Sequence, residues 1–296
     1  MEVRTPLQHL LFNTVRIETH DRGNNPIGVG TSFILSHNFQ GHGDELFLVS
    51  NKHVIKDGFF AYMYFTELRD GKPNIGKPFF IKSDFFSVGW IGHPSSEVDL
   101  AIMPLSWELD MIEKGKGGGT KAFYQKVSTE IIPTESEIND FDAMEPIIFI
   151  GYPNGIFDRK HYTPIVRRGT TATPIQLDYD GSPTFLIDAS VFPGSSGSPV
   201  FLYKQPLHSP SDSSFVDKAY IRLLGILSAV FFRTQLGTLE MVPAPVSIAP
   251  TVEIKEMIDL GVVFKSHLIL DLINIFWGEN EEKCREWKRA WEHKKP

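Results

Sequence analysis

Three serines and two glycines are packed between β-branched ends in VFPGSSGSPV, Val191 to Val200. A plain β-turn would explain that composition, and a serine hydroxyl is by itself a poor nucleophile near neutral pH. To attack a carbonyl it needs a base to take its proton, a group to orient that base, and N–H donors for the oxyanion that forms. Separate pieces of the chain should then carry these parts. In LVSNKHVIKDG an apolar run ends and His53 follows it; in SEVDLAIMPL, Asp99 heads an apolar run, where a carboxylate is partly buried and needs a donor. Each has a bland alternative, since His53 is one of ten histidines and Asp99 could simply cap a turn. Ser196 lies between Gly194 and Gly197. A glycine ahead of the serine lets the backbone turn sharply, so that the N–H groups of Gly194 and Ser196 can point to one spot as an oxyanion hole.

Other chemistries fit less well. A lipase-type elbow wants glycine two residues before and two after the serine, but Ser198 stands two after Ser196. The Gly-rich EKGKGGGTK lacks the spacing of a phosphate loop. His37 and His42 lie near Asp44 without a zinc-like spacing, and Cys284 is distant in sequence, so no metal and no cofactor is expected. Arg167 and Arg168 either meet substrate carboxylates or guard an edge strand, and the second is preferred.

The elements that must hold these residues are short β-branched and aromatic runs punctuated by Gly, Pro, Asn and Asp as far as about residue 250. GVGTSFILS, LFLVS, FAYMYF, DLAIMPL, PIIFIGY, TFLIDA, SPVFLY and LLGILSAVFF are expected strands. From Leu109 to Asp142 the chain turns polar and irregular, which suggests a boundary between two halves. TVEIKEMIDLG, from Thr251 to Gly261, reads as a helix with Val252, Ile254, Met257 and Ile258 on one face. The final segment also reads as helical, with Trp287 and Trp291 one turn apart; it either packs on the body or docks another protein.

Charge and composition narrow the partners. With 296 residues, 42% hydrophobic and a formal charge of -7, the chain is an ordinary globular size and lacks the positive field of a nucleic-acid binder. Cys284 is its single cysteine, and the N-terminus has no signal-peptide pattern, so a cytoplasmic location is expected. No apolar run approaches the roughly 20 residues of a membrane span; LILDLINIFW carries Asp271 and Asn274.

Taken together, SNKHVI, VDLAIMPL and IDASVFPGSSGSPVF, in the order His, Asp, Ser, resemble the trypsin-like serine peptidase superfamily. The similarity is to its bacterial branch of HtrA-type proteases and glutamyl endopeptidases, without a PDZ domain. GVGTSFIL, IFIGYPNG and MVPAPVSIAPTVEIKEMI add to it, over about residues 12 to 262. The resemblance implies an all-β, chymotrypsin-like fold of two six-stranded antiparallel barrels with a C-terminal helical extension. The expected organisation is a barrel over 1–110 carrying His53 and Asp99, a linker over 111–140, a barrel over 141–262 carrying Ser196, and a helical extension over 263–296.

Carried onto this sequence, the resemblance makes His53 the general base, Asp99 its orienting group, Ser196 the nucleophile, and Gly194 and Ser196 the oxyanion donors. It places a substrate strand along Ser228, Ala229 and Val230. Pocket walls are expected from Ser190 to Phe192, Ser228 to Val230 and Met241 to Ala244. Digestive members carry Asp just before the nucleophile, whereas Ser195 stands here, which argues against activation by cleavage. With no acid at Ser190 and no His near Ser228, a small or medium uncharged side chain is expected before the cut. The implied activity is a cytosolic serine endopeptidase acting on selected proteins, regulated by a partner at the C-terminal helix or by a conformational trigger, with stress or phage-defence signalling as an analogy. The alternatives are a silent pseudoprotease scaffold that binds peptides or proteins, and an esterase on the same fold.

Overall fold

Runs that alternate inward apolar and outward polar residues pair with their neighbours into two successive sheets. The computed structural model describes residues 2–39, 43–84, 86–105, 108, 120–192, 194–204, 219–238 and 251–278. The first sheet contains β1 (Thr14–His20), β2 (Pro26–Phe39), β3 (Gly43–Ser50), β4 (Phe60–Arg69), β5 (Lys72–Ser83), β6 (Ile91–Gly92) and β7 (Ala101–Pro104). Their order is β5-β4-β1-β2-β3-β7-β6; β8 (Lys121–Phe123) adds to β4, and β9 (Val127–Ser128) runs parallel to β2. The second sheet is a closed barrel of β10 (Pro146–Gly151), β11 (Ile165–Thr171), β12 (Thr184–Asp188), β13 (Pro199–Lys204), β14 (Tyr220–Thr238) and β15 (Thr251–Lys265), in the order β10-β11-β12-β15-β14-β13.

The mostly β architecture follows the sequence, but two expectations need correction. The first half is not a closed six-stranded barrel: among the described residues its nine strands form an open sheet whose outer strands β5 and β6 do not pair. Phe86, in the connection from β5 to β6, is fully buried against Ile17 and Ala61, with Trp90 packed beside it. Burial of one such ring is worth about 2–3 kcal/mol. The second correction concerns Thr251 to Gly261, which is part of β15 and not a helix. Leu260 to Phe264 pair with β12 and Gly261 to Lys265 also pair with β14, which closes the barrel, while Thr251 to Met257 extend the ladder along β14.

The halves share one core. Phe33, Phe47, Val49 and Ile102 from the first sheet meet Ile148, Ile150 and Phe201 from the barrel. A helix over residues 267–278 inserts Leu268, Ile269, Leu272, Ile273 and Phe276 into the same cluster. Their one-sided spacing is that of a helix packed along a single stripe. This helix therefore spends its apolar face on the body; Trp287 and Trp291 lie outside the described residues.

A short helix, Glu135–Asn139, ties the approach to the barrel onto its wall. Thr134 and Glu137 form a reciprocal capping box, and Glu137 Oε1 also accepts from Arg222 of β14 at 2.5 and 2.7 Å. The Arg222 hydrogen bonds, with help from Thr134, pull the Glu137 carboxyl from 4.5 to about 2. A carboxyl lowered on folding contributes stability above its unfolded pKa and loses it as the pH falls toward the folded value. Glu137→Gln is therefore expected to lower Tm by roughly 2–4 °C at pH 7. That gap should narrow as the pH falls from about 4.5 toward 2, and thermal melts across this range check it. A gap independent of pH would assign the effect to packing.

Candidate active site

The residues singled out in the sequence come from four separate elements. His53 sits on a single helical turn, Lys52–Ile55, that follows β3. The turn can press onto β2 because Gly30 faces it: a β-carbon there would lie 2.3 Å from Val54 Cγ1. Asp99 precedes β7, and its main chain is pinned to the same turn, since Asn51 Nδ2 donates to the Asp99 carbonyl at 2.8 Å. The backbone N–H of His53 then donates to Asp99 Oδ1 at 3.0 Å, and His53 Nδ1 lies 2.5 Å from Asp99 Oδ2. With the carboxylate ionised, the proton belongs on Nδ1, which leaves Nε2 free to accept one. The imidazole is about half exposed and so open to solvent.

A third donor reaches the carboxylate from the barrel. Ser228 Oγ donates to Asp99 Oδ2 at 2.8 Å. Burial pushes the Asp99 carboxyl up, but hydrogen bonds from His53 and Ser228, with the charge of His53, outweigh it and hold the group below its ordinary value. Asp99 stays ionised through mildly acidic pH.

Only one of the three serines in the turn is available for chemistry. Ser195 and Ser198 are buried, and their hydroxyls make no hydrogen bond among the described residues, whereas Ser196 is partly exposed. Ser196 Oγ donates to the Ser228 carbonyl at 3.0 Å, so its proton is held there and not by His53. Gly194 and Gly197 have φ of 83° and 85°, a region that side chains disfavour. At Gly197 space also decides, because a β-carbon would lie 1.8 Å from the Thr31 carbonyl oxygen. Ser195 N–H donates to the Phe192 carbonyl at 3.0 Å, while the N–H groups of Gly194 and Ser196 have no partner among the described residues.

Thr31, which the sequence did not single out, joins the two halves at this point. Its N–H donates to the Ser196 carbonyl at 3.1 Å, and its Oγ1 accepts from Tyr152 N–H at 3.0 Å. Ser50 Oγ in turn donates to the Thr31 carbonyl at 2.8 Å. The serine turn is thereby referenced to β2 and β3, the strands that also carry the His53 turn. Asn51 and the hydroxyl of Ser228 were likewise not anticipated; their partners are more than 40 residues away, beyond any local pattern.

The expected pocket residues also converge. Leu227 N–H donates to the Ser198 carbonyl, and β13 stops pairing with β14 at Ile226, so one side of Ser228, Ala229 and Val230 is not taken up within the barrel. Ala229 is exposed and Val230 half-buried. Val230 pairs with Gly261, where a β-carbon would lie 2.9 Å from Val191, which brings Ser190 to Phe192 beside this strand. Met241 to Ala244 lie outside the described residues.

No protein-family model matches the chain, and no curated protein does. The solved structures similar to it include two proteases. The active form of the Rv3671c protease from M. tuberculosis is 14% identical with a TM-score of 0.44, over 92% of this chain and 84% of that one. The thermostable serine protease AL20 from an extremophilic microorganism is 14% identical with a TM-score of 0.43, over 90% of this chain and 97% of that one. At that level of likeness, function has to be read from the side chains themselves. Among the described residues no group of three or more His, Cys, Asp and Glu side chains could hold a metal ion. No helix among them is long and apolar enough to cross a membrane.

Proposed function

We propose that the chain is a serine endopeptidase in which Ser196 attacks, His53 moves the proton and Asp99 orients the imidazole. The observation that carries this reading is the linked set of hydrogen bonds in which Asp99 holds His53 Nδ1 and Ser228, while Ser228 holds the Ser196 hydroxyl. A peptide laid as an added strand beside Ser228 to Val230 offers its own N–H to the Ser228 carbonyl. That displaces the Ser196 proton, which then turns to His53 Nε2. As Ser196 Oγ bonds to the scissile carbon, the proton passes to Nε2, and the N–H groups of Gly194 and Ser196 receive the oxyanion. The imidazolium then gives its proton to the departing amine, leaving an acyl-enzyme that water hydrolyses by the same steps in reverse roles.

A second reading is favoured by one observation, the engagement of the Ser196 hydroxyl with the Ser228 carbonyl in the free protein. In that reading the chain is a silent scaffold that binds peptides, or an enzyme waiting for a conformational trigger. Labelling with a fluorophosphonate separates the two, because the reagent reports an activated serine without needing a known substrate. The wild type is expected to label, and Ser196→Ala and His53→Ala are not. A folded wild type that stays unlabelled, alone and with added peptides, would favour the scaffold.

A further inference from the structure

Away from the serine turn, the two halves meet again around Arg16. This residue pairs with Tyr64 across β1 and β4, and its guanidinium carbon lies 4.7 Å from the centre of the Tyr64 ring. The same carbon lies 5.4 Å from the centre of the Phe157 ring, which belongs to the connection from β10 to β11 in the second half. Along its own strand Arg16 Nη2 donates to Glu18 Oε2 at 2.6 Å, and Glu18 Oε1 lies 3.1 Å from His20 Nε2. The guanidinium is thus fixed from β1 and stands within cation–π reach of one ring from each half. An arginine suits this place, because its delocalised, weakly hydrated charge keeps contact with rings where an ammonium would keep its water.

The connection held there, residues 152–164, is braced and ends at the serine turn. Asp158 closes it on itself by accepting from the N–H groups of Lys160 and His161 at 3.0 Å, and Gly76 N–H of β5 donates to the His161 carbonyl at 3.2 Å. Phe157 meets Tyr152 edge-on at 6.3 Å, and Tyr152 is buried. The side chains around Arg16 leave a cavity of about 20 Å³, too small for a ligand, so a shift of Phe157 is passed on to its neighbours. Tyr152 N–H donates to Thr31 Oγ1 at 3.0 Å, and that hydroxyl donates to the Gly194 carbonyl at 3.4 Å. Thr31 N–H donates to the Ser196 carbonyl at 3.1 Å. Thr31 therefore holds one carbonyl on either side of Ser195, from the two residues whose N–H groups are the proposed oxyanion donors. There is no slack beside it, since a β-carbon at Gly151 would lie 2.0 Å from Ser198 Oγ.

We infer that Arg16 is a positioning residue for the oxyanion hole. By holding Phe157 against the first sheet it fixes Tyr152, and through Tyr152 the Thr31 contacts that set the N–H groups of Gly194 and Ser196. What those N–H groups do rests on the peptidase reading; the coupling from Arg16 to Thr31 does not. Arg16 touches no reacting atom, and its effect travels only through contacts that follow one another without a gap. Without the cation the connection opens more often, and the turn then visits geometries in which the two N–H groups no longer converge.

The test compares full-length wild type with Arg16→Met, Arg16→Lys, Phe157→Leu and the double variant of Arg16→Met with Phe157→Leu. Two readouts run side by side: the rate of fluorophosphonate labelling, and hydrogen exchange at the Thr31 amide followed by mass spectrometry. Arg16→Met and Phe157→Leu should each slow labelling by about five- to tenfold and speed exchange at Thr31 by a similar factor. The double variant should lose no more than either single one, and Arg16→Lys should recover part of the loss. Glu137→Gln, which weakens the fold elsewhere, should label within about twofold of wild type. Unchanged labelling or unchanged exchange in Arg16→Met, losses that multiply in the double variant, or an equal loss in Glu137→Gln would overturn the assignment. A wild type that does not label, while Arg16→Met still speeds exchange at Thr31, would sink the peptidase reading and leave the positioning standing.

Discussion

Replacing Ser196 with alanine is expected to lower kcat/KM for a cleavable peptide by about 10⁵- to 10⁶-fold, and adding His53→Ala to that variant should cost almost nothing more. The reason is that the two side chains serve one step. His53 accepts the proton that Ser196 releases, so once the hydroxyl is absent the base has no proton to accept. The remaining rate over water would come from N–H groups of the backbone, which neither substitution removes. Folding should be spared, since Ser196 is partly exposed and its side chain makes a single hydrogen bond among the described residues, to the Ser228 carbonyl. Steady-state rates of the two single variants and the double variant, with melting temperatures alongside, check this. If the losses multiplied, Ser196 and His53 would act in different steps and the proposed proton transfer would be wrong.

The parts of this site that could be read in the sequence are those with a local chemical reason. Ser196 stood out because glycines that let the backbone turn sharply bracket it, His53 because it follows the end of an apolar run, and Asp99 because it heads one. What binds these pieces together was not legible. Thr31 is one of many strand threonines until the serine turn is laid against β2, and only then does its N–H meet the Ser196 carbonyl. Arg167 was visible but its contacts were not, because Ser190 and Phe192 come from a segment more than 20 residues later in the chain. The fold shows the same division. β-Branched runs announced most of the barrel, whereas β1 and β11 carry Arg16, Glu18, Arg167 and Arg168, which dilute the apolar signal. In Thr251 to Gly261 the apolar positions at 252, 254, 257 and 258 satisfy a helical stripe about as well as a strand. The deciding force is long-range, because β12 and β14 both need this segment to complete their ladders.

Neutralising Asp99 should have the second largest effect. Asp99→Asn is expected to reduce kcat by about 10⁴-fold with little change in KM. The carboxylate accepts three hydrogen bonds at once, from the His53 backbone N–H, from His53 Nδ1 and from Ser228 Oγ. An asparagine presents one oxygen and one amide donor in the same space. If its oxygen keeps the backbone N–H, its NH₂ faces Nδ1 and favours the tautomer with the proton on Nε2, the nitrogen that must accept from Ser196. Lowering the pH cannot mimic this change over the mildly acidic range, because the same hydrogen bonds hold the Asp99 carboxyl below its ordinary value. The wild type should thus keep Asp99 ionised well below neutral pH, while the variant is impaired at every pH where His53 relies on the tautomer. Activity in the variant should recover in part at alkaline pH, where hydroxide replaces the missing base. A loss of less than about tenfold would mean that His53 keeps its orientation and tautomer without the charge, and the role of Asp99 would be reduced to anchoring the His53 turn.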